Sequence, residues 1–422
     1  MKRRRRRKPQ NSSNRNNHLT LISEFKYLPS EIWTQILSKL PAKTLLKLRC
    51  VCKSWCSIID DPDFIHIHHQ FSQIPNSGNN TTSLLILGGE NGWSGWMLTV
   101  LHAETLRKTG LIFRTSDDMY VYHMIGSCNG LILVSRTDDS PSFQRELNEL
   151  RLWNPCIRKS LVIPACPFSR SLECFYVFGY APVSKHYKVI AISKKSARKN
   201  LGKISWAVYI LGDQQWTVRN DVLNISFPNN ISLSRPFFGL QANVFVKGVA
   251  YWLGSIDKDR NEFTTHVGQF TTHLGSFTTH LGSFDFDNEE IAFLELPSSW
   301  NERGSVKFLF LLRESLAIFK ISDVDSSIWV LEQDNEKGTW TQRFSGKSSP
   351  YGYQLFSYML SKKVFFCESD GGYFICENTS YNITSCEVRE LREYKAYCQL
   401  ELYSESLVLS KGYGARDLRF FL

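Results

Sequence analysis

Long apolar runs and catalytic motifs are both missing from this 422-residue sequence. No stretch reaches the roughly 18 consecutive apolar residues that a membrane-spanning helix needs, and the N-terminus lacks the apolar segment of a secretory signal. The GxxxxGKS/T phosphate loop, the HExxH and GxSxG motifs and the protein-kinase motif set are absent as well. We therefore expect a soluble intracellular protein with no intrinsic catalysis and no cofactor.

The eleven cysteines lack the spacing of a metal site. No CxxC pair occurs, and apart from Cys50, Cys52 and Cys56 no two cysteines lie within five residues of each other. Zinc ribbons, thioredoxin-like centres and RING-like arrays need such pairs. We expect no metal site, and we interpret Cys52 and Cys56 as small buried apolar groups.

The net charge of +10 is concentrated in one N-terminal run, and without that run it falls to +3. The run consists of seven consecutive cations: Lys2, Arg3, Arg4, Arg5, Arg6, Arg7 and Lys8. Because the residues after it are polar and aperiodic, we expect residues 1–24 to be disordered. Such a run is typical of a nuclear import signal, so we expect a nuclear and/or cytoplasmic location, with nucleic acid contacted at most loosely by the tail.

Residues 27–70 are rich in apolar side chains that recur at helical spacing. The pattern predicts three short helices, which end at Leu40, Arg49 and Ile59. A domain of this size buries only about 60% of its chain surface, so its apolar surplus indicates a partner protein. Periodicity alone leaves open an ordinary helical subdomain that packs on the rest of the chain.

The same segment resembles the F-box, the adaptor-binding motif of ubiquitin-ligase substrate receptors. The match covers roughly forty consecutive positions, from Leu28-Pro29 through Arg49-Cys50-Val51-Cys52-Lys53-Ser54-Trp55 to Ile58-Ile59. The resemblance implies a helical domain over residues 25–70 that binds a Skp adaptor and, through it, a cullin scaffold.

The resemblance also implies a set of residues that divide between the adaptor contact and the motif's own small core. They are Leu28, Pro29, Ile32, Ile36, Leu37, Leu40, Pro41, Leu45, Leu48, Val51 and Trp55. Interface energy is usually concentrated in a few large side chains. We expect the dominant contacts to come from Leu28, Pro29, Ile32, Leu37 and Trp55.

From about residue 80 the sequence changes to short apolar, β-branched and aromatic runs separated by turn-forming residues. The runs predict strands at Thr81–Leu87, Met119–Ile125, Leu131–Ser135, Leu150–Trp153, Tyr187–Ile192, Trp206–Leu211, Val244–Val246, Val249–Leu253, Phe308–Leu312, Ile328–Leu331 and Val364–Cys367. Hairpins that lead to Trp216 and Trp340 are typical of propeller blades, where the ring fills the wedge to a neighbouring blade. Unrelated hairpins in one irregular β domain are the alternative.

Several segments of this region resemble, in order, the landmarks of plant F-box-associated domains. They are Gly126–Ile132, Leu152–Lys159, Phe178–Pro182 with Tyr187–Val189, Gly248–Leu253, Phe284–Asp287 with Phe293–Pro297, and Ile328–Val330 with Trp340-Thr341. The resemblance covers roughly residues 83–390 and implies a β-propeller-like receptor domain over 80–422, with S-locus F-box proteins of pollen among the relatives. About 40–50 residues per blade indicate roughly six to eight blades.

Together the two resemblances imply a multidomain protein, a small all-α three-helix F-box followed by an all-β propeller-like F-box-associated domain. The implied function is that of a non-catalytic substrate-recognition subunit of a Skp-cullin-F-box (SCF) ubiquitin ligase. It would tether an unidentified target protein for ubiquitination and proteasomal degradation. A propeller-type lectin or enzyme with a helical cap is the alternative.

A seven-residue unit occurs three times in succession over residues 263–283, as FTTHVGQ, FTTHLGS and FTTHLGS. We interpret it as the tandem expansion of an exposed surface loop, with the next strand beginning at Phe284. His266, His273 and His280 recur at spacing seven. Thr-Thr and Gly disfavour the helix that would align these histidines, and in a strand they would alternate faces, so we expect no metal binding.

Two further polar sets are predicted to be solvated. The first is a short run after the third predicted helix, comprising His66, His68 and His69. The second lies in a turn-rich stretch, with Asp285, Asp287, Glu289 and Glu290.

Overall fold

The computed structural model divides the chain into two compact units, Met1–Asn80 and Thr81–Leu422. It describes residues 28–72, 83–89, 96–102, 108–115, 120–138, 147–168, 174–193, 205–219, 244–257, 262–264, 277–297, 300, 306–312, 315–321, 325–332, 338–347, 358–360, 363–367, 372–379, 382–390, 396–409 and 416–417. The predicted tail, including Lys2–Lys8, lies outside these residues.

The described part of the first unit contains four helices: α1 (Ser30–Leu37), α2 (Ala42–Leu48), α3 (Lys53–Ile59) and α4 (Pro62–Ser72). Prolines precede α1 and α2, and the carbonyl of Pro29 accepts from the amides of Ile32 and Trp33 at 3.0 and 3.2 Å. The helix α3 begins two residues later than predicted because Cys52 is extended and its Sγ accepts from the amide of Trp55. None of the described helices is long and apolar enough to cross a membrane.

The helix α4 corrects the prediction of a solvated exit from the third helix. Asp61 Oδ1 accepts from the amide of Asp63 at 2.8 Å, and Pro62 occupies the first helical position, where it needs no partner for a missing N–H. Asp61-Pro62 is therefore a helix start as well as a stop. His68 and His69, predicted to be solvated, are only 2% and 8% exposed.

The core of the first unit is formed by one or two side chains from each helix. Its most deeply buried members are Leu37, Ala42, Leu45, Ile59 and Phe64. His68 stacks on Phe64 with ring centroids 6.2 Å apart, and its Nε2 donates to the carbonyl of Leu40 at 2.8 Å. This bond satisfies a carbonyl that the end of α1 leaves without a helical partner.

The described strands of the second unit form five sheets, one of which has eight strands and consists of two four-stranded blades joined by one parallel residue pair, Leu312 with Met359. The unit therefore has six four-stranded antiparallel blades, with extra strands at the edges of two of them. Blade 1 contains β1 (Ser83–Gly89), β2 (Trp96–His102), β3 (Lys108–Thr115) and β25 (Ala396–Tyr403). Blade 2 contains β4 (Tyr120–Cys128), β5 (Leu131–Asp138), β6 (Leu147–Asn154), β7 (Lys159–Ile163) and the edge strand β26 (Arg416–Asp417). Blade 3 contains β8 (Cys174–Ala181), β9 (His186–Ser193), β10 (Ser205–Ile210) and β11 (Thr217–Arg219).

The remaining three blades follow along the chain. Blade 4 contains β12 (Val244–Val246), β13 (Val249–Asp257), β14 (Glu262–Thr264), β15 (Phe277–Asp285) and β16 (Glu290–Glu295). Blade 5 contains β17 (Val306–Leu312), β18 (Ser315–Ile321), β19 (Asp325–Glu332) and β20 (Thr339–Lys347), and blade 6 contains β21 (Tyr358–Leu360), β22 (Lys363–Cys367), β23 (Gly372–Thr379) and β24 (Asn382–Glu390). The propeller-like fold is therefore confirmed, and every predicted strand overlaps a strand of the structure.

The innermost strands close the six blades into a ring. Contacts run from β25 to β4, β4 to β8, β8 to blade 4, blade 4 to β17, β17 to β21 and β21 back to β25. Blade 1 combines both ends of the unit, because the late strand β25 pairs with the first strand β1, Ser83 opposite Tyr403. Separation of β25 from β1 would therefore open the ring.

A second contact that closes the ring is made by the residues after β25, which pass over the turn between β4 and β5. Asn154 is fully buried and its Nδ2 donates to the carbonyls of Ser406 and Val408 at 3.0 and 2.6 Å. Gly130, at φ 76°, lies so close that an added Cβ would stand 2.4 Å from the carbonyl oxygen of Ser404. The short strand β26 then pairs with β7. We call residues 404–409 the clasp, since they join blade 1 to blade 2.

Large aromatic side chains fill the wedges between blades, as the hairpin pattern predicts. Trp216 contacts Tyr209 of its own blade and donates from Nε1 to the carbonyl of Pro164, which follows β7 of blade 2, at 2.8 Å. Trp340 packs edge-on against Trp300 at 5.5 Å, between blades 5 and 4. Burial of such rings in the wedges is the main apolar stabilisation of a propeller.

The seven-residue repeat is not entirely a loop, contrary to the prediction. Its third copy forms β15, which starts at Phe277 rather than Phe284 and pairs with β13 along its full length. The first copy enters β14, so that Thr264 and Thr279 lie on opposite sides of Ser255. Phe, Thr and Leu favour a strand, and β13 extends to Asp257 and offers both edges for pairing. His266 and His273 lie outside the described residues.

Candidate functional site

Two large apolar side chains of α1 face solvent. Ile32 and Ile36 are 38% and 44% exposed, and they lie one helical turn apart, on the side away from the buried Leu37. Val51, in the connection between α2 and α3, is 62% exposed. We call Ile32, Ile36 and Val51 the apolar surface of the first unit. Ile32 and Ile36 are neighbours on one helix face, and two large aliphatic side chains exposed together favour a protein-binding surface.

The other predicted contact residues divide by burial. Leu37 and Leu45 are 1% and 0% exposed, so the structure places them in the core of the bundle rather than on its surface. Pro29 and Pro41, the prolines that precede α1 and α2, are exposed. The half-buried members of the predicted set are Leu28, Leu40, Leu48 and Trp55. Leu37 was expected to be a dominant contact with the adaptor. Because its side chain is 1% exposed, it is not available for a direct contact.

Trp55 is held by an aromatic neighbour that the sequence pattern did not single out. The rings of Trp33 and Trp55 meet at 60° with centroids 5.1 Å apart, which joins α1 to α3. The sequence could have indicated this role for Trp33, because Trp33 lies one helical turn before Leu37 and therefore points towards the same side of α1. The edge-to-face pair fixes the angle at which α1 presents its apolar side.

An ion pair fixes the connection that carries Val51. Arg49 Nε lies 2.7 Å from Asp60 Oδ1, and a second guanidinium nitrogen donates to Oδ2 at 2.8 Å. The hydrogen bond to Asp60 raises the pKa of Arg49, which outweighs the opposite effect of burial. The pair joins the end of α2 to the end of α3, so the backbone around Val51 is held from both sides.

The buried His69 makes the first unit sensitive to acid. Burial, with smaller contributions from His68 and His66, lowers the pKa of His69 from 6.5 to about 4. Between these values the unfolded chain binds a proton that the folded chain does not, so stability present above pH 6.5 falls as the pH falls to about 4. The expected loss is at most about 3 kcal/mol.

Nuclear magnetic resonance of the full chain with labelled histidines measures this directly. The ring signal that disappears in the variant His69→Gln should titrate near pH 4, whereas an exposed histidine should titrate near 6.5. Titration of the His69 signal near 6.5 would contradict the buried, neutral state of the ring.

Among the described residues, no group of three His, Cys, Asp or Glu side chains is arranged to hold a metal ion. The described helices of the first unit present exposed apolar side chains on a bundle held by an aromatic pair and an ion pair. Neither feature supplies a nucleophile or a proton-transfer pair.

Two family models match the chain. The model described as the F-box domain matches residues 25–67, and the model described as the F-box associated beta propeller domain matches residues 101–408. Both resemblances inferred from the sequence are thereby confirmed. The first match contains the apolar surface, and the second contains most of the six-bladed ring.

Curated relatives include two F-box/kelch-repeat proteins of Arabidopsis thaliana. One is 26% identical over 254 residues, which are 56% of this chain and 64% of that protein. The other is 23% identical over 326 residues, which are 73% of this chain and 72% of that protein. The chain thus spans less than two thirds of the first relative's length.

Among solved structures, a periplasmic gluconolactonase of Pseudomonas aeruginosa matches 76% of this chain and 100% of its own, with 10% identity and a TM-score of 0.37. We draw no argument from a similarity this distant. Because the propeller model alone matches residues 101–408 and the F-box model precedes it, the chain belongs to the plant F-box proteins that carry an F-box associated β-propeller domain.

Proposed function

We propose that this protein is the substrate-recognition subunit of an SCF ubiquitin ligase. The observation that carries the proposal is the apolar surface of Ile32, Ile36 and Val51, exposed on the helical unit that the F-box model matches. Exposure of apolar surface to water costs a free energy of roughly 25 cal/mol per Å², and a docked partner that buries the surface removes this cost. The partner proposed here is a Skp adaptor, and through it a cullin scaffold.

The residues proposed to touch the adaptor are the exposed and half-buried members of the predicted set. The exposed ones are Pro29, Ile32, Ile36, Pro41 and Val51, and the half-buried ones are Leu28, Leu40, Leu48 and Trp55. Leu37 and Leu45 support them from the core. Substitutions of the first two groups should therefore weaken adaptor binding, whereas substitutions of Leu37 or Leu45 should lower the stability of the bundle.

The propeller unit is proposed to hold the target protein. Closure of the ring by β25 and the clasp makes it a scaffold that can carry loops without unfolding when they vary. The protein itself needs no catalytic group in this role. It would act by tethering, which raises the effective concentration of target lysines near ubiquitin loaded elsewhere in the complex.

Affinity purification from plant cells tests the proposal. The tagged native chain and a tagged Ile32→Glu/Ile36→Glu variant are compared with and without a proteasome inhibitor. Adaptor and cullin should co-purify with the native chain alone, while a target should co-purify with both chains and carry ubiquitin only with the native one. Recovery of adaptor and cullin with neither chain, or equally with both, would contradict the proposal.

A further inference from the structure

Three hairpins of the propeller close with loops of the same geometry. Each loop has four residues between a terminal strand pair, and the fourth residue has a positive φ near 55°. The pairs are Asn154 with Lys159, Ala181 with His186 and Asp285 with Glu290, and the fourth residues are Arg158, Lys185 and Glu289 at φ 53°, 57° and 54°. The equivalence allows the three loops to be compared position by position.

In two of the loops the residue before the loop caps it. Asn154 Oδ1 accepts from the amides of the second and third loop residues at 3.0 and 3.4 Å. Asp285 Oδ1 accepts from the equivalent amides, those of Asp287 and Asn288, at 2.9 and 2.9 Å. This is the side-chain cap by which Asn and Asp stabilise a turn.

The β8–β9 loop has Ala181 in the capping position and therefore no acceptor of its own. Its second and third residues are Val183 and Ser184, and their amides are the ones that a cap would satisfy. Both donate instead to Asp287, a residue of the blade 4 loop. Val183 N lies 3.1 Å from each carboxylate oxygen of Asp287, and Ser184 N lies 3.1 Å from Oδ1.

The rest of the blade 4 loop is also bound to blade 3. Lys188 of β9 is 5% exposed and donates from Nζ to the carbonyl of Phe286 at 2.7 Å and to Glu289 Oε1 at 2.9 Å. Arg219 of β11 donates to Glu289 Oε2 at 2.8 Å. Burial raises the pKa of Glu289, but the hydrogen bonds from Lys188 and Arg219 outweigh it, so the net shift is downward.

The side chain of Phe286 adds an apolar anchor. It is fully buried, and it fills the space beside Gly179 of β8 so closely that a Cβ there would lie 2.4 Å from the ring. Its amide donates to the carbonyl of Gly248, within blade 4, at 3.0 Å. The loop 286–289 is therefore fixed at its base in blade 4 and inserted at its tip into blade 3.

These contacts correct the prediction that Asp285, Asp287 and Glu289 are solvated acids. Each accepts hydrogen bonds that hold a loop in place, and Glu290 alone of the four is exposed. The sequence pattern could not separate them, because the partners of Asp287 and Glu289 lie 70 to 104 residues away.

We propose that loop 286–289 is an inter-blade clamp in which Asp287 supplies, from blade 4, the cap that Ala181 cannot supply in blade 3. Loop 182–185 then keeps its conformation only while the two blades are docked. Separation of blades 3 and 4 and loosening of loop 182–185 are consequently one event. The clamp thus couples the packing of blade 4 against blade 3 to the conformation of a surface loop of blade 3.

Amide hydrogen exchange of the full chain, resolved to single residues, tests the clamp. In Asp287→Ala the amides of Val183 and Ser184 should exchange about ten-fold faster than in the native chain, the effect expected for loss of charge-assisted hydrogen bonds. The matched control is Glu290→Ala, which removes the same charge from an exposed neighbour and should leave both rates unchanged. Equal rates at Val183 and Ser184 in Asp287→Ala and the native chain would overturn the proposal.

A second variant separates the clamp from general destabilisation. Ala181→Asp, added to Asp287→Ala, places the missing acceptor where Asn154 and Asp285 stand in their own loops. Protection of Val183 and Ser184 should return, while loop 286–289 should still exchange faster than in the native chain. Loss of protection throughout the propeller in Asp287→Ala, rather than at the two loops, would also contradict the proposal. The contrast with Glu290→Ala decides the matter if Ala181→Asp does not fold.

Discussion

The double variant Ile32→Glu/Ile36→Glu should bind the Skp adaptor at least about 100-fold more weakly than the native chain. Both side chains are more than a third exposed, so the free protein accommodates charge at these positions with little strain. Docking would instead bury two carboxylates without partners, and interfaces lose about 2 kcal/mol or more at each central apolar contact. Titration calorimetry with the purified adaptor measures the loss.

Two controls make the result interpretable. Thr44→Glu/Ser57→Glu adds the same charges at exposed polar positions of α2 and α3 and should leave adaptor binding within a few fold of native. Leu37→Ala removes a side chain from the core and should lower stability by about 2–5 kcal/mol, with loss of binding only as far as the helices unfold. Native affinity in Ile32→Glu/Ile36→Glu would rule out α1 as the contact.

Substitution of Asn154 by Asp should destabilise the propeller by about 3–5 kcal/mol. The carboxylate keeps the acceptor for the amides of Cys156 and Ile157 but loses both donors to the clasp. It also places negative charge against the carbonyls of Ser406 and Val408, in a site with no exposure. Each buried acceptor left unsatisfied costs about 1–3 kcal/mol, which sets the estimate.

Asp285 supplies the reciprocal control. It stands at the equivalent position of its hairpin, and its Oδ1 caps the loop in the same way, so Asp285→Asn keeps an acceptor and should cost at most about 1 kcal/mol. Urea denaturation followed by near-ultraviolet circular dichroism gives the global effect, and hydrogen exchange at residues 404–409 gives the local one. Unchanged protection of the clasp in Asn154→Asp would contradict the role of Asn154 in ring closure.

Local pattern was sufficient for much of the fold. Proline punctuation and apolar spacing located the ends of α1 to α3 within three residues, the largest error being the end of α1, predicted at Leu40 and observed at Leu37, because these signals act within one or two helical turns. Alternating β-branched and aromatic runs located strands in all six blades for a similar reason. The fourth helix was missed because Asp61-Pro62 was interpreted as a stop, although an acidic cap followed by proline is also a start.

Contacts between distant residues could not be predicted. Periodicity identified Ile32, Ile36 and Leu37 as apolar positions of one helix, but whether each faces the core or solvent depends on where α3 packs. Leu152–Lys159 was identified from the sequence only as a family landmark, because the clasp partners of Asn154 lie about 250 residues further along the chain. The third repeat copy became a strand because β13 extends beyond Leu253 and offers it a pairing edge.

Equilibrium binding of the purified full chain to a purified Skp adaptor tests the proposed role of the F-box most directly. We expect saturable binding with one adaptor per chain, abolished by Ile32→Glu/Ile36→Glu and unaffected by Asp287→Ala, whose site lies in the propeller unit. Absence of saturable binding by the folded native chain at tens of micromolar adaptor, roughly −6 kcal/mol or weaker, would contradict this role.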